Sequence, residues 1–93
     1  MEKTEILQKV EALKESLKKA DNLIYELHGV VLDKAFASRE EMFRCLDKGK
    51  DIDRDEYNSR CQESSYYGNM LIKLENAAHQ LSVGVIENIE KIN

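Results

Sequence analysis

The chain has 93 residues, of which 42% are hydrophobic and 34% carry a charged side chain. This balance is typical of an ordered, soluble protein and excludes a disordered tail, so we predict one domain over residues 1–93. The formal net charge of −4 argues against a nucleic-acid-binding protein, which needs a surplus of Lys and Arg. The longest uninterrupted apolar stretch, residues 30–32, is far too short to cross a membrane.

The first residues and the number of cysteines indicate in which cellular compartment the protein folds. Residues 1–5 contain two glutamates and no apolar core, which does not fit a secretory signal peptide. The two cysteines, Cys45 and Cys61, are too few for a secreted disulfide framework and fit reduced thiols. We therefore expect a cytoplasmic protein.

The first predicted element is a long helix from about Lys3 to Val31, running on towards Phe36. Its apolar residues are spaced alternately four and three apart, which places them in one stripe along the helix. This stripe consists of Ile6, Val10, Leu13, Leu17, Ala20, Ile24, Leu27 and Val31. Such a stripe cannot remain in water, so it predicts a partner helix in this chain or in another.

A second, shorter helix is predicted to begin at Ser38. Ser38 with Glu41 three residues later has the pattern of a capping box, in which each side chain bonds the other residue's free backbone N–H. The apolar side of this helix is predicted to consist of Met42, Phe43, Cys45 and Leu46, and residues 48–50 end it.

The third predicted helix begins at Asp51 or Asp53 and continues almost to the end of the chain. Asp53 and Glu56 repeat the capping pattern. One face is mostly apolar and consists of Tyr57, Cys61, Ser64, Tyr67, Leu71, Leu74, Ala78, Leu81, Val85, Ile89 and Ile92. Gly84 leaves open whether the last turns bend into a separate fourth helix.

Together these elements predict an all-α fold, namely an antiparallel long-helix hairpin with a short connecting helix. In this hairpin Val31 lies near Tyr57, and Ile6 lies near Gly84 or Val85. A lone hairpin covers only one side of each helix. Further apolar residues lie beside the predicted stripes, namely Leu7, Leu23, Val83 and Ile86. These leftover positions predict that a homodimer completes a helical bundle.

The sequence was also tested for metal sites. The acidic run of residues 51–56 begins like a calcium loop, but that loop needs Gly at its sixth position and Glu at its twelfth, where this chain has Glu56 and Gln62. Cys45, Cys61 and the two histidines have the composition of a zinc site without its local spacing. We therefore predict no metal and no cofactor.

Catalytic patterns are also missing from the sequence. No Ser or Cys stands in a Gly-rich turn, and neither His28 nor His79 has an identifiable catalytic partner. We therefore predict that the protein is not an enzyme. A small all-α metal-dependent nucleotide hydrolase is the third alternative. The metal sites of such enzymes use carboxylates that project from facing helices.

The adjacent tyrosines Tyr66 and Tyr67 are the most unusual local feature. Consecutive helical residues point about 100° apart, so one ring is expected to pack and the other to be exposed. Exposed tyrosines favour protein interfaces, and acidic residues steer basic partners. We predict that the partner-binding residues are Tyr66, Tyr67, Asp51, Asp53, Asp55 and Glu56.

The predicted function is therefore a protein–protein interaction. We expect a small acidic regulator or inhibitor that acts by steric occupation of another protein with a basic or grooved surface. A short phage-type inhibitor of host machinery would fit this size and charge. The alternative is a secretion or assembly chaperone that shields a partner helix.

Overall fold

The computed structural model describes residues 2–92. The element order is helix α1 (Lys3–Asp47), a 3-10 turn (Gly49–Asp51), helix α2 (Arg54–His79), a π-helical segment (Gln80–Ile86) and helix α3 (Glu87–Glu90). No strand occurs in this part of the chain. The all-helical fold class is therefore confirmed, with two long helices joined by a short 3-10 turn.

The helices divide into two compact units. Among the described residues, unit 1 comprises the chain up to Leu27 and from Leu74 onward, and unit 2 comprises His28–Lys73. Unit 1 therefore contains the π-helical segment and α3, whereas unit 2 contains the 3-10 turn.

The predicted separate helix at Ser38 is wrong, because α1 continues through Gly29 and Ser38 as far as Asp47. The Ser38 side chain is buried, and its Oγ donates a hydrogen bond of 2.9 Å to the carbonyl of Ala35. Ser38 thus bonds back within the helix instead of capping a new one. Glu41, the other half of the predicted capping box, forms an ion pair with Arg44.

Helix α1 ends where the sequence indicates, just before Gly49. Gly49 has φ +61, a left-handed conformation that side chains with a Cβ adopt only at a cost of about 1 kcal/mol or more. A glycine in this conformation just past a helix end is a common stop signal. The 3-10 turn begins at this residue.

The predicted cap of the last long helix is confirmed at Asp53. Its carboxylate oxygen Oδ1 accepts hydrogen bonds from the backbone N–H groups of Asp55 (3.0 Å) and Glu56 (3.2 Å). These N–H groups belong to the first turn, where the helix itself supplies no acceptor. Helix α2 therefore begins at Arg54, directly after the cap.

The covered face of α1 differs from the predicted stripe. Covered positions recur at alternating spacings of three and four residues: Leu7, Val10, Lys14, Leu17, Asp21 and Ile24 in unit 1, followed by His28, Val31, Ala35, Ser38, Met42 and Cys45 in unit 2. Five of the eight residues of the predicted stripe are at least half-buried, namely Val10, Leu17, Ala20, Ile24 and Val31. The prediction is wrong for Ile6, Leu13 and Leu27, which are 45%, 43% and 48% exposed.

Lys14 shows why a polar residue occupies the covered face. Its Nζ donates to the backbone carbonyl of Ile92 at 3.4 Å and to the Glu11 carboxylate at 3.5 Å. The aliphatic stem can cover apolar surface while the ammonium group binds a carbonyl just after α3. Leu13, next to it in sequence, points to another side and stays exposed.

The π-helical segment changes which residues of the last part are covered. The predicted face holds from Tyr57 to Leu81, and the next half-buried residues are Ile86 and Ile89 instead of Val85. The Glu87 N–H donates to the carbonyl of Ser82, five residues back, which is the π-helical pattern. Its wider turn adds one residue between covered positions, so Val85 is exposed. Ile92 is exposed as well and lies beyond the last residue of α3.

Very little of the chain is fully buried. Among residues 2–92, only Val31, Ser38 and Cys45 are buried. Of the four leftover apolar positions, Leu7 and Ile86 are half-buried, whereas Leu23 and Val83 are exposed. The covered faces of the helices therefore consist mostly of half-buried side chains. Large apolar residues remain exposed to solvent in both units.

The Asp53 cap yields a stability prediction. Replacing Asp53 with Ala removes the acceptor of two N–H groups, which should cost about 1 kcal/mol and lower the melting temperature by roughly 4–8 °C. Asp55→Ala is the matched control, because the Asp55 side chain makes no hydrogen bond or ion pair with any described residue. Thermal unfolding followed by circular dichroism, at one protein concentration, should separate the two variants; equal melting temperatures would refute the capping role.

Candidate interaction surfaces

The predicted acidic surface is partly engaged within the chain. Asp53 caps α2, and the Glu56 carboxylate lies 3.6 Å from the Lys48 ammonium group in an ion pair across the turn. Asp51 and Asp55 are exposed. Lys48, Lys50 and Arg54 alternate with these acids in the sequence, so charges of both signs surround the turn.

Glu56 also lies beside the Cys45 thiol, beneath the turn in unit 2. Burial raises the pKa of Cys45, and the nearby Glu56 carboxylate, which is hydrogen-bonded to the thiol, raises this pKa further. Lys48 and Arg60 act in the opposite direction more weakly. Glu56 therefore ties the end of α1 to the first turn of α2, a structural role that the sequence pattern did not reveal.

Tyr57 belongs to the same part of unit 2. Its side chain is hydrogen-bonded to Cys61, one turn further along α2, and this bond is the main reason that the pKa of Tyr57 is raised. Tyr57 and Cys61 are both half-buried.

The two adjacent tyrosines divide as the sequence analysis expected. Tyr66 is 60% exposed, whereas Tyr67 is half-buried. Their ring centroids lie 5.3 Å apart with planes inclined by 72°, an edge-to-face contact of the kind that aromatic rings prefer. Tyr67 therefore holds the exposed Tyr66 ring in place.

Tyr66 lines a shallow groove on α2. The groove measures about 330 Å³, and its other lining residues are Asn69, Met70 and Lys73. An aromatic ring, a flexible thioether and a cation are together suited to contact a protein surface. The structure thus joins the predicted residue Tyr66 to Met70 and Lys73, which the sequence analysis did not single out.

A larger cavity of about 520 Å³ lies at the turn. Its apolar walls are formed by Leu46, Ile52 and Tyr57, and its basic residues are Lys50 and Arg54. The predicted acids Asp51, Asp53, Asp55 and Glu56 are not part of its lining. Sequence reasoning missed this cavity because its walls come from the ends of two helices and the turn between them.

Unit 1 carries exposed apolar residues of its own. On α1 they include Ile6, Leu13 and Leu27 at multiples of seven residues, and Tyr25 is 78% exposed. On the π-helical segment, Val83 and Val85 are exposed. These residues form an open apolar surface of α1 and a second one on the π-helical segment.

Residues 2–92 contain no group of three or more His, Cys, Asp and Glu side chains placed to hold a metal ion. Within the same residues, no helix combines the length and the apolar character that crossing a membrane requires.

Comparison with known proteins gave no relative. No protein-family model, no curated protein and no solved structure matches the chain. Function is therefore inferred from the residues and surfaces described above.

The two cysteines should differ in reactivity. Cys45 is buried and its pKa is raised, so it has little thiolate at neutral pH, whereas Cys61 is half-buried. We expect iodoacetamide to modify Cys61 first. Modification of Cys45 should become faster as the pH rises above its ordinary value of 9.0, or when the protein is unfolded.

Single variants Cys45→Ser and Cys61→Ser, followed by mass spectrometry over time, assign each rate to one thiol. A Cys45 thiol that reacts as fast in the folded protein as in urea would contradict the burial.

Proposed function

We propose that the protein is a non-enzymatic protein–protein interaction protein whose helices are completed by a second copy of the chain. The observation that carries the proposal is the scarcity of buried residues among residues 2–92, together with many exposed large apolar side chains. A chain with so small a core needs additional buried surface to be stable. Association supplies that surface.

We further propose that the two long helices form the antiparallel hairpin expected from the sequence. The contact of Lys14 with Ile92 in unit 1 and that of Lys48 with Glu56 in unit 2 support this arrangement. Its register differs from the one that pairs Ile6 with Val85. Because α1 extends to Asp47, the proposed hairpin turns after residue 47. The sequence analysis instead ended the first long helix near Phe36 and placed a separate short helix after it.

The accessible surface supports a dimer. The area is 7325 Å², whereas a folded monomer of 10.8 kDa exposes about 5,500 Å². A dimer that buried this excess on each chain would hide about 3,600 Å², which lies within the range of obligate homodimers. The stripe of Ile6, Leu13 and Leu27 is the best candidate for this contact, because it adjoins the covered face of α1.

The binding surface for a different protein is proposed around Tyr66. The ring is exposed, held by Tyr67, and placed beside Met70 and Lys73 in the groove on α2. Aromatic anchors of this kind carry a large share of the binding energy in protein interfaces. The protein would then act as a regulator or inhibitor by occupying its partner, including the phage-type case, with Asp51 and Asp55 as exposed charges nearby.

One observation favours a chaperone as the second candidate. Exposed apolar residues on helical faces, such as Leu23, Val30 and Ile72, could shield an apolar helix of another protein. An inhibitor that forms a closed dimer would cover such residues permanently. A chaperone would uncover them when its dimer dissociates, so the stability of the dimer distinguishes the two functions.

The dimer is tested by light scattering. At tens of micromolar, the protein should have about twice the mass of the 10.8 kDa chain. Leu13→Glu should lower this mass or unfold the protein, because a buried carboxylate costs several kcal/mol. Gln8→Glu is the matched control, since Gln8 is exposed on the outer side of α1. A monomeric wild-type protein with native helicity would refute the dimer.

The partner surface is tested by affinity capture from the native host, followed by mass spectrometry. Tyr66→Ala should lose most of the captured partner, because a central tyrosine anchor is worth about 2 kcal/mol or more. Tyr25→Ala is the control, since Tyr25 is also an exposed helical tyrosine but lies in unit 1. The reverse result would move the interface to α1, and equal capture by both variants would exclude both tyrosines.

A further inference from the structure

The cavity at the turn combines two kinds of wall. Leu46, Ile52 and Tyr57 form apolar walls, of which Ile52 and Tyr57 are half-buried. Tyr57 contributes an aromatic ring to this lining. The volume of about 520 Å³ lies within the range of small ligand sites and exceeds that of one leucine or phenylalanine side chain.

The basic residues of the cavity have no acidic partner in the described chain. Elsewhere in unit 2, Lys48 pairs with Glu56, Arg44 with Glu41 and Arg60 with Glu63. Lys50 and Arg54, by contrast, form no ion pair with any of residues 2–92, although aspartates adjoin them in sequence. Asp53 forms no ion pair with Arg54, and its Oδ1 accepts from two N–H groups of α2.

We propose that this cavity binds an acidic segment of a partner protein, with a large apolar side chain of that segment against Leu46, Ile52 and Tyr57 and its carboxylates beside Lys50 and Arg54. The positive charge of the lining favours a partner segment with negative charge. Both ionic groups that line the cavity are cations, whereas the exposed carboxylates of Asp51 and Asp55 belong to residues outside the lining. The inference rests on the proposed protein-binding function and adds the chemistry of one partner segment.

The backbone of the turn keeps the two walls together. Gly49 holds its left-handed conformation between the end of α1 and the 3-10 turn, and the Lys48–Glu56 ion pair and the Cys45–Glu56 contact join the helices beneath it. Leu46 from α1 and Tyr57 from α2 thus lie on the same cavity before any ligand arrives. A preformed site loses less conformational entropy on binding.

The experiment is an NMR titration of the full chain, labelled with ¹⁵N, using three blocked tripeptides as probes. They are acetyl-Glu-Leu-Glu-amide, acetyl-Glu-Ala-Glu-amide and acetyl-Lys-Leu-Lys-amide. The first should give saturable shifts centred on the amides of Gly49, Lys50 and Ile52. The alanine peptide should bind at least about threefold more weakly, because it leaves the apolar walls uncovered. The lysine peptide should give no saturable shift at these amides.

Charge reversal tests the basic residues. The double variant Lys50→Glu/Arg54→Glu should weaken binding of the Glu-Leu-Glu peptide about tenfold, because two attractions become repulsions. The control Lys9→Glu/Lys18→Glu makes the same change in net charge at exposed positions of unit 1 and should bind as wild type does. Circular dichroism confirms that both variants keep the native helicity.

Three results would overturn the proposal. Tighter binding of the lysine peptide would show that the acidic residues of the turn bind a basic partner, as the sequence analysis predicted. Equal weakening in both double variants would show general attraction, and shifts that do not saturate would show no site. Peptide binding is measured without any partner protein, so it separates this inference from the proposed function. If the peptide binds while Tyr66→Ala and Tyr25→Ala lose no captured partner, the cavity stands and the Tyr66 surface fails.

Discussion

One neighbouring helix can cover only a narrow face of another helix. The apolar residues of α1 form a surface that is wider than such a face. Its covered positions repeat every three and four residues and include the polar side chains Lys14, Asp21 and His28, while Ile6, Leu13 and Leu27 beside them remain exposed. The surplus apolar surface is the constraint on which the functional interpretation depends. It supports association more directly than any single residue does.

The turn in unit 2 concentrates the specific contacts of the chain. Asp53 caps α2, Glu56 joins Lys48 and Cys45, and Gly49 takes a left-handed backbone conformation. These internal contacts use two of the four predicted acidic binding residues for stability. The cations Lys50 and Arg54 are left on the cavity, so its lining is basic although the chain has a net charge of −4.

Sequence periodicity predicted the helical class, the stop before Gly49, the Asp53 cap and the different exposures of Tyr66 and Tyr67. It failed at Ser38, because a capping pattern describes local hydrogen bonding that a continuous helix can replace with a bond to the carbonyl three residues back. Periodicity also predicted a stripe on α1 that is more apolar than the face that is covered in the structure. Composition alone does not show that Lys14 is held on the covered face by the Ile92 carbonyl. The turn cavity escaped prediction because it depends on residues from two helices.

The π-helical segment lets the last part of the chain tolerate a loss of length. Its additional residue places Ile86 where an uninterrupted α-helix would place residue 85. Deleting one residue between Gln80 and Ile86 and restoring α-helical bonding would therefore leave Ile86 and Ile89 on the covered face, because the deletion removes the residue that the wider turn accommodates. A chain of unchanged length that regained α-helical bonding here would instead rotate its last turns by about 100° and present a different side of them.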